Sequence, residues 1–223
     1  GLMHLARKHF PSLKIHASTL MGAHNSTAVK FLENLGIKRV VLARELNLSE
    51  INKISQQSRV ELEVFVHGAM CFSYSGLCLF SSYLGGKSSL RGRCVQPCRR
   101  RYRWERKSAG GGYLFSMRDM SAIDLIGNIQ KAGIRSLKIE GRMRSSHYVG
   151  EVVKAYRLAS DNPGDKEALA SAHAILAESM GRKTTSGYFV DQHNNDILSP
   201  GHSGNIGIFL GTVRRHGRKR CSI

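Results

Sequence analysis

The chain has 223 residues, 41 % of them apolar, with 34 lysines and arginines against 16 acids and a net charge of +18. That length suits one large domain or a domain and a half, and the apolar share is that of an ordinary globular protein. No run approaches the ~20 apolar residues of a membrane span, and the N-terminus lacks the apolar core of a secretory signal. No membrane partner is therefore expected. A cytoplasmic, reducing location is, and structural disulfides are rare there. The first residue is Gly1 and not Met, so a piece of a longer protein is expected.

In chain order, Leu13–Ser18 predicts a strand. Asn25–Leu35 predicts a helix, capped by Asn25 or Ser26, with Ala28, Val29, Leu32 and Leu35 on one face and Gly36 as its stop. Ile37–Ala43 is an apolar run broken by Lys38 and Arg39, a second strand. Ser49 is the expected cap of a short helix with Ile51 and Ile54 inward. Val60–Val66 is a third strand. Residues 67–112 form a loop-rich insertion, followed by a fourth strand over Tyr113–Met117. Ser121 with Asp124 resembles a capping box for a helix ending at Gly133. Ser136–Glu140 is a fifth strand, and Ser145 or Ser146 opens a helix with Val149, Val152, Val153 and Tyr156 on its apolar face.

Asp161-Asn-Pro-Gly164 is a breaker and an expected domain boundary. Lys166–Glu178 follows as a helix, and the segment around Gly204–Val213 predicts the opening strands of a small β element. Repeated βα units with largely apolar strands argue for an α/β fold on a parallel sheet. Five units are too few to close an eight-stranded barrel, so either the sheet is open or strands lie outside this chain.

Four of the five cysteines fall within 28 residues, as Cys71, Cys78, Cys94 and Cys98. The segment around them is rich in glycine and arginine. Thiolates are soft ligands, and four at one point would hold zinc or an iron–sulfur cluster. The spacing C-x6-C-x15-C-x3-C fits the paired C-x2–4-C of zinc ribbons poorly, and a cluster tolerates it more easily. Unliganded buried thiols remain the alternative.

Two segments concentrate the positive charge. Arg91, Arg93, Arg99, Arg100, Arg101, Arg103, Arg106 and Lys107 stand against the single acid Glu105, and the tail adds Arg214, Arg215, Arg218, Lys219 and Arg220. Such a field favours a polyanion, most simply RNA, against the alternative of a solvated basic surface. Tyr102 and Trp104, interleaved with arginines, would stack on bases.

Several stretches resemble one family. Glu63-Val-Phe-Val-His-Gly-Ala-Met-Cys71 followed by Ser75-Gly-Leu-Cys78-Leu-Phe-Ser81 is similar to the signature of the collagenase-like peptidases of family U32. Gly92-Arg-Cys94-Val-Gln-Pro-Cys98-Arg is similar to its second half. His16-Ala-Ser-Thr, Val40-Val-Leu-Ala-Arg-Glu45-Leu and Leu137-Lys-Ile-Glu-Gly-Arg142-Met match further blocks, from residue 1 to about 213.

The resemblance implies a partial TIM-like barrel over 1–160 with the cysteine-rich insertion 67–112, then a helical linker and the start of a β extension over 161–223. It implies an oxygen-independent hydroxylase acting on RNA (tRNA or rRNA), or else a peptidase acting on protein, or a non-catalytic RNA-binding fragment. It implies a [4Fe-4S] cluster on Cys71, Cys78, Cys94 and Cys98, with zinc as the alternative, and prephenate as a co-substrate. Three departures stand out: the family's first strands are absent, Leu20 replaces a polar residue, and the tail Arg214–Ile223 does not follow the pattern.

Strand C-termini face the active site in such barrels. That selects His16, Ser18, Arg44, Glu45, His67, Arg118, Asp119, Glu140 and Arg142. Arg44 and Arg142 would each clamp a carboxylate, with Glu45 and Arg118 beside the substrate. Glu140 is the candidate base, or the partner of an arginine. His67, four residues before Cys71, is the candidate proton relay, or a satisfied loop residue. The serines near the cysteines show no Ser/His/Asp spacing. Gly110-Gly-Gly112 precedes no Lys-Ser/Thr and is no phosphate cradle.

Overall fold

The computed structural model describes residues 1–103, 111–179, 181–191 and 195–205, together with residue 212 and the runs 215–217 and 220–222. In chain order the elements are α1 (Leu2–His9), β1 (His16–Ala17), α2 (Ser26–Asn34), β2 (Arg39–Val41), α3 (Leu48–Gln56) and β3 (Glu61–Ala69). They continue with α4 (Phe80–Gly85), β4 (Asp119–Ser121), α5 (Ile126–Lys131), β5 (Ser136–Ile139), α6 (Ser146–Asp161), α7 (Lys166–Glu178) and β6 (Thr184–Thr185). A separate hairpin pairs β7 (Arg215–Gly217) with β8 (Arg220–Ser222).

β1, β2, β3 and β5 run parallel, β4 joins the end of β3 antiparallel, and β6 lies parallel to β4. The sheet among the described residues is therefore mixed, mostly parallel and open, ordered β1-β2-β3-β4-β6 with β5 also on β3. The α/β class is as the sequence predicts. β3 is the hub, and every residue from Leu62 to Gly68 is buried. That continuous burial is expected of a parallel strand covered on both faces. Its register slips between Phe65 and His67, which re-aims the residues that lead to the cysteine loop.

The helix starts are local and mostly as predicted. The Asn25 side chain accepts from the Ala28 N–H at 2.8 Å, and Ser145 accepts from Tyr148 at 3.2 Å. For α3 the cap is Asn47 and not Ser49. Asn47 accepts from the Glu50 N–H while Glu50 accepts from the Asn47 N–H, a full capping box that a serine inside the first turn has no means to form. α6 buries Tyr148, Val152, Ala155, Tyr156 and Ala159, whereas Val153 is 46 % exposed on the other side. Each fully buried large side chain of this kind contributes about 1.5–3 kcal/mol.

Two expectations fail at the return from the insertion. Tyr113–Met117 is a turn and not a strand: the Ser116 N–H donates back to the Tyr113 carbonyl, and the Tyr113 N–H donates to Pro200. The aromatic alternation there packs Phe115 against Phe72, Phe80 and Tyr102, so it reflects a ring cluster and not a sheet face. The strand forms two residues later as β4, which places Ser121 in the sheet and leaves α5 to start after a 3₁₀ turn at Ile123–Leu125. The breaker after α6 sends the chain back as α7, capped by Asp165, with Ala168 and Ala172 buried. α1 matches no predicted element; Arg7 ties it to the Gly36 carbonyl at 3.1 Å. Among the described residues no helix is long and apolar enough to cross a membrane.

Candidate functional site

The C-terminal ends of the parallel strands carry one loop system. β3 runs straight into it through Met70 and Cys71, with Gly68 at the junction. Gly68 has a φ of +101°, and a Cβ there would collide with the Glu140 carbonyl oxygen. Only glycine lets β3 and the end of β5 close so tightly. The loop then folds around α4 and the 3₁₀ turns Ser89–Arg91 and Pro97–Arg99.

Cys71, Cys78, Cys94 and Cys98 are all free thiols, exposed or partly so. They lie within one another's electrostatic reach. Burial pushes the Cys71 thiol up, the Ser73 N–H and Arg44 guanidinium oppose this, and the Cys78 and Cys94 thiolates add to it. Burial also pushes Cys98 up; Arg99 opposes, and Cys71, Cys94 and Cys78 add to the rise. Cys78 ends lower than usual, because the N–H groups of Phe80 and Ser81 and the hydroxyls of Ser73 and Ser89 outweigh its burial.

The Cys94 sulfur accepts from the Ser81 hydroxyl at 3.5 Å and from the Gln96 N–H at 3.4 Å. Gln96 holds a left-handed φ of 51°, and it is the one non-glycine residue with positive φ among those described. Such a conformation costs of order 1 kcal/mol and here aims an N–H at sulfur. Hydrogen-bond donors favour the thiolate at Cys78, whereas burial works against it at Cys71 and Cys98. The donor set fits a sulfur-ligated centre. Among the described residues no three His, Cys, Asp or Glu side chains meet as a single bound ion requires.

Two arginines hold this loop from below. Arg44 is half-buried, donates to the Ala69 carbonyl at 3.2 Å and lies 4.1 Å over the Phe65 ring. Burial lowers its pKa, while Cys71, Glu140 and Glu45 raise it. Arg99 donates to the Ser116 hydroxyl at 2.9 Å, to the Met70 carbonyl at 3.0 Å and to the Met117 carbonyl. It feels burial first, then Arg182, Cys98, Asp119 and Cys71. A third anchor is Glu45, which accepts from the Ser75 N–H at 2.6 Å and faces the His24 ring at 3.5 Å, a ring that stacks on Tyr74.

Beside the loop lies a cleft of about 580 Å³, lined by His67, Asp119, Tyr148, Arg182, Lys183 and Thr184 among others. Asp119 is 1 % exposed and accepts from Arg144 at 2.7 Å and from Arg182 at 2.9 Å. His67 is buried, 3.3 Å from the Tyr156 hydroxyl, and burial lowers its pKa to about 4. The imidazole is therefore neutral at pH 7.

The family model for peptidase family U32 matches residues 1–198. The chain belongs to peptidase family U32. Its relatives include tRNA hydroxylation protein P1 of Bacillus subtilis, 37 % identical over 72 % of this chain and 40 % of the relative. A 23S rRNA 5-hydroxycytidine synthase of Escherichia coli is 34 % identical over 91 % of this chain and 33 % of the relative. A collagenase of Porphyromonas gingivalis is 32 % identical over 81 % and 48 %. The chain thus spans about half or less of the length of these relatives. No solved structure matches it.

On this U32 chain the residues selected from the sequence fall into three groups. Arg44, Glu45 and Glu140 stand with the cysteines at the strand ends. Arg142 is exposed, reaches the Gly92 carbonyl of the cysteine loop at 3.2 Å and takes the Glu140 carboxylate on its N–H. His67 and Asp119 belong to the cleft. Arg118 turns to Asp196 at 2.5 Å. His16 is exposed, and Ser18 accepts from the Leu20 N–H as a local cap.

The basic segment changes in composition. Arg99 is not a surface cation, and the Tyr102 hydroxyl donates to Pro97 while its ring packs on Phe80 and Phe115. Arg91, Arg93, Arg100, Arg101 and Arg103 are exposed. Trp104, Glu105, Arg106, Lys107, Arg214, Arg218, Lys219 and residues 206–211 of the expected β element lie outside the described residues. The sequence pattern pointed to Arg142, whereas Arg144, two residues on, is the arginine that reaches Asp119. Arg182 and Tyr148 carried no local signal at all.

Proposed function

We propose that this chain is part of an oxygen-independent, iron–sulfur-dependent RNA hydroxylase, acting on tRNA or ribosomal RNA. The observation that carries this reading is the set of four free thiols that feel one another's charge, with hydrogen-bond donors on the sulfurs and arginines behind them. The names of the relatives from Bacillus subtilis and Escherichia coli support RNA as the substrate class. The parallel strands are read as part of a TIM-like barrel whose strand ends form the site.

Cys71, Cys78, Cys94 and Cys98 would hold a [4Fe-4S] cluster, which supplies one-electron chemistry when bound. Zinc at the same place would need the sulfurs drawn onto one ion at ~2.3 Å. The chain's own residues do the rest. Arg44 and Arg99 offset thiolate charge from the protein side, and the N–H groups of Ser73, Phe80 and Gln96 orient the sulfurs. Glu140, beside Arg44, is placed to hold a proton at the strand ends. His67, neutral at pH 7, offers a hydrogen bond and no charge. Prephenate is the proposed co-substrate, and the exposed arginines from Arg91 to Arg103 draw the RNA.

A peptidase alternative follows from the name of the Porphyromonas gingivalis relative. Among the described residues no serine or cysteine side chain hydrogen-bonds a histidine ring, so nothing in the geometry favours it over hydroxylation.

The test is an iron and acid-labile sulfide assay on anaerobically purified protein. About four irons and four sulfides per chain are expected, with loss of colour and iron in Cys94→Ser. Stoichiometric zinc, or an iron content that survives Cys94→Ser, would remove the cluster and this ligand set.

A further inference from the structure

His67 reaches its place through an irregular stretch of β3. The register on β5 shifts between Phe65 and His67, and a slip of this kind turns a side chain out of the regular alternation. The imidazole stands edge-on to Tyr156, with ring centroids 5.4 Å apart, and tilted against Tyr148 at 6.1 Å. Asp119 and Arg144 are the charged groups that act on it. Its Nδ1 faces the Tyr156 hydroxyl at 3.3 Å. Its Nε2 makes no hydrogen bond among the described residues, and the ring lines the cleft.

The Tyr156 hydroxyl decides which ring nitrogen carries the proton. It owns one proton and two lone pairs. The Val66 carbonyl lies 2.7 Å from the phenol oxygen. Two oxygens at that distance need a proton between them, and a carbonyl has none to give. The hydroxyl proton is thereby committed to Val66, and burial keeps the phenol from losing it. The lone pairs face donors. The Ala122 N–H stands at 3.1 Å and is shared with the Val66 carbonyl at 2.9 Å, and the Ser121 hydroxyl acts on the same oxygen. Nδ1 therefore meets a phenol oxygen with no proton to offer, and must supply one itself. The ring is neutral at pH 7 because burial disfavours its charge, so it has a single N–H. With that proton on Nδ1, Nε2 is a bare lone pair. Free histidine in water favours the opposite tautomer, with the proton on Nε2.

We propose that Tyr156 is a positioning residue that locks His67 in the Nδ1–H tautomer, so that Nε2 meets the cleft as a hydrogen-bond acceptor and not as a proton donor. This deepens the part given to His67 in the proposed function. Delivery of a proton from Nε2 is ruled out, and with it the relay that the sequence suggests. A hydroxyl or N–H group on a molecule in the cleft is attracted to that nitrogen, and an oxyanion is repelled by it. The tautomer depends on no thiol and no cluster. Protein without iron would end the hydroxylase reading and leave this assignment intact.

The experiment is a long-range proton–nitrogen NMR correlation spectrum of the isotope-labelled full chain at pH 7, with the His67 ring signals identified by their loss in His67→Phe. A protonated Nδ1 and a bare Nε2 are expected, in about ten-fold excess or more over the other tautomer. The Nδ1 proton should also show a through-space contact with the Tyr156 ring. Tyr156→Phe keeps the packed ring, and the Val66 carbonyl retains the Ala122 N–H, so no carbonyl is stranded. In that variant the proton moves to Nε2. Three results would overturn the assignment: a protonated Nε2 in the parent, two tautomers in comparable amounts, or an Nδ1–H tautomer that survives Tyr156→Phe. The first two are read on the parent chain alone and decide the matter even where the variant does not fold.

Discussion

Replacing Arg99 by methionine separates a surface cation from a structural one. If Arg99 belongs to an RNA-facing basic track, Arg99→Met weakens RNA binding and leaves stability alone. The structure requires the opposite. The guanidinium serves Ser116, Met117 and Met70, which are 0 %, 2 % and 4 % exposed. Methionine has the length to fill the space but no donor, so two buried carbonyls lose their partner at about 1–3 kcal/mol each. Release of a desolvated guanidinium returns part of this, which places the net loss near the lower end, about 2–3 kcal/mol. For a chain of this size each kcal/mol moves Tm by about 2–4 °C, so a fall of about 4–12 °C is expected. Thermal melts followed by circular dichroism measure it, with exposed Arg100→Met as the control, expected within about 0.5 kcal/mol of the parent. Indistinguishable melts for the two variants would refute the stapling role of Arg99.

Further expectations concern titration, the buried carboxylate and RNA. Burial holds His67 at about 4, against ~6.5 when unfolded. Between those values the unfolded chain binds a proton that the folded chain does not, so stability rises with pH across that window, levels above it, and the His67 share is about 3 kcal/mol. Urea midpoints at pH 4.5 and pH 7 should therefore differ more for the parent than for His67→Phe, and equal differences would reject the assignment. Asp119→Asn keeps the shape but strands two guanidiniums, at a cost of about 3–5 kcal/mol seen in chemical denaturation; a loss below about 1 kcal/mol would mean the cluster of charges is solvated. Replacing Arg100, Arg101 and Arg103 together by glutamine should make the log–log salt dependence of single-stranded RNA binding shallower, by about 0.7 for each phosphate no longer neutralised. An unchanged slope would take those residues off the RNA track.

Helix starts were legible wherever a single side chain decides them, as at Asn25 and Ser145. The cap of α3 was misplaced by two residues because Asn47 and Ser49 are both acceptable caps in composition, and only the reciprocal bond with Glu50 chooses between them. At Tyr113–Met117 the sequence pattern does not decide, because alternating aromatics satisfy a ring cluster as well as a strand face. Arg99 is hidden for a related reason: a run of arginines looks uniform, and burial of one among them depends on which carbonyls the fold brings beneath it. The arginines of Arg142-Met-Arg144 point in different directions because the chain turns into α6 between them, which no periodicity announces.

What the residues determined alone was short-range: four cysteines within 28 residues, the family signature around them, the apolar run of β3 and the excess of positive charge. What the tertiary structure decided was long-range. Asp119 meets Arg182 across 63 positions of sequence only because β6 pairs with β4, and Tyr156 reaches His67 across 89 only because α6 packs on β3. Local signals are written by backbone geometry and capping bonds within a turn or two. Contacts of that span exist only once burial of a shared apolar core has met the entropy of closing the loops between them.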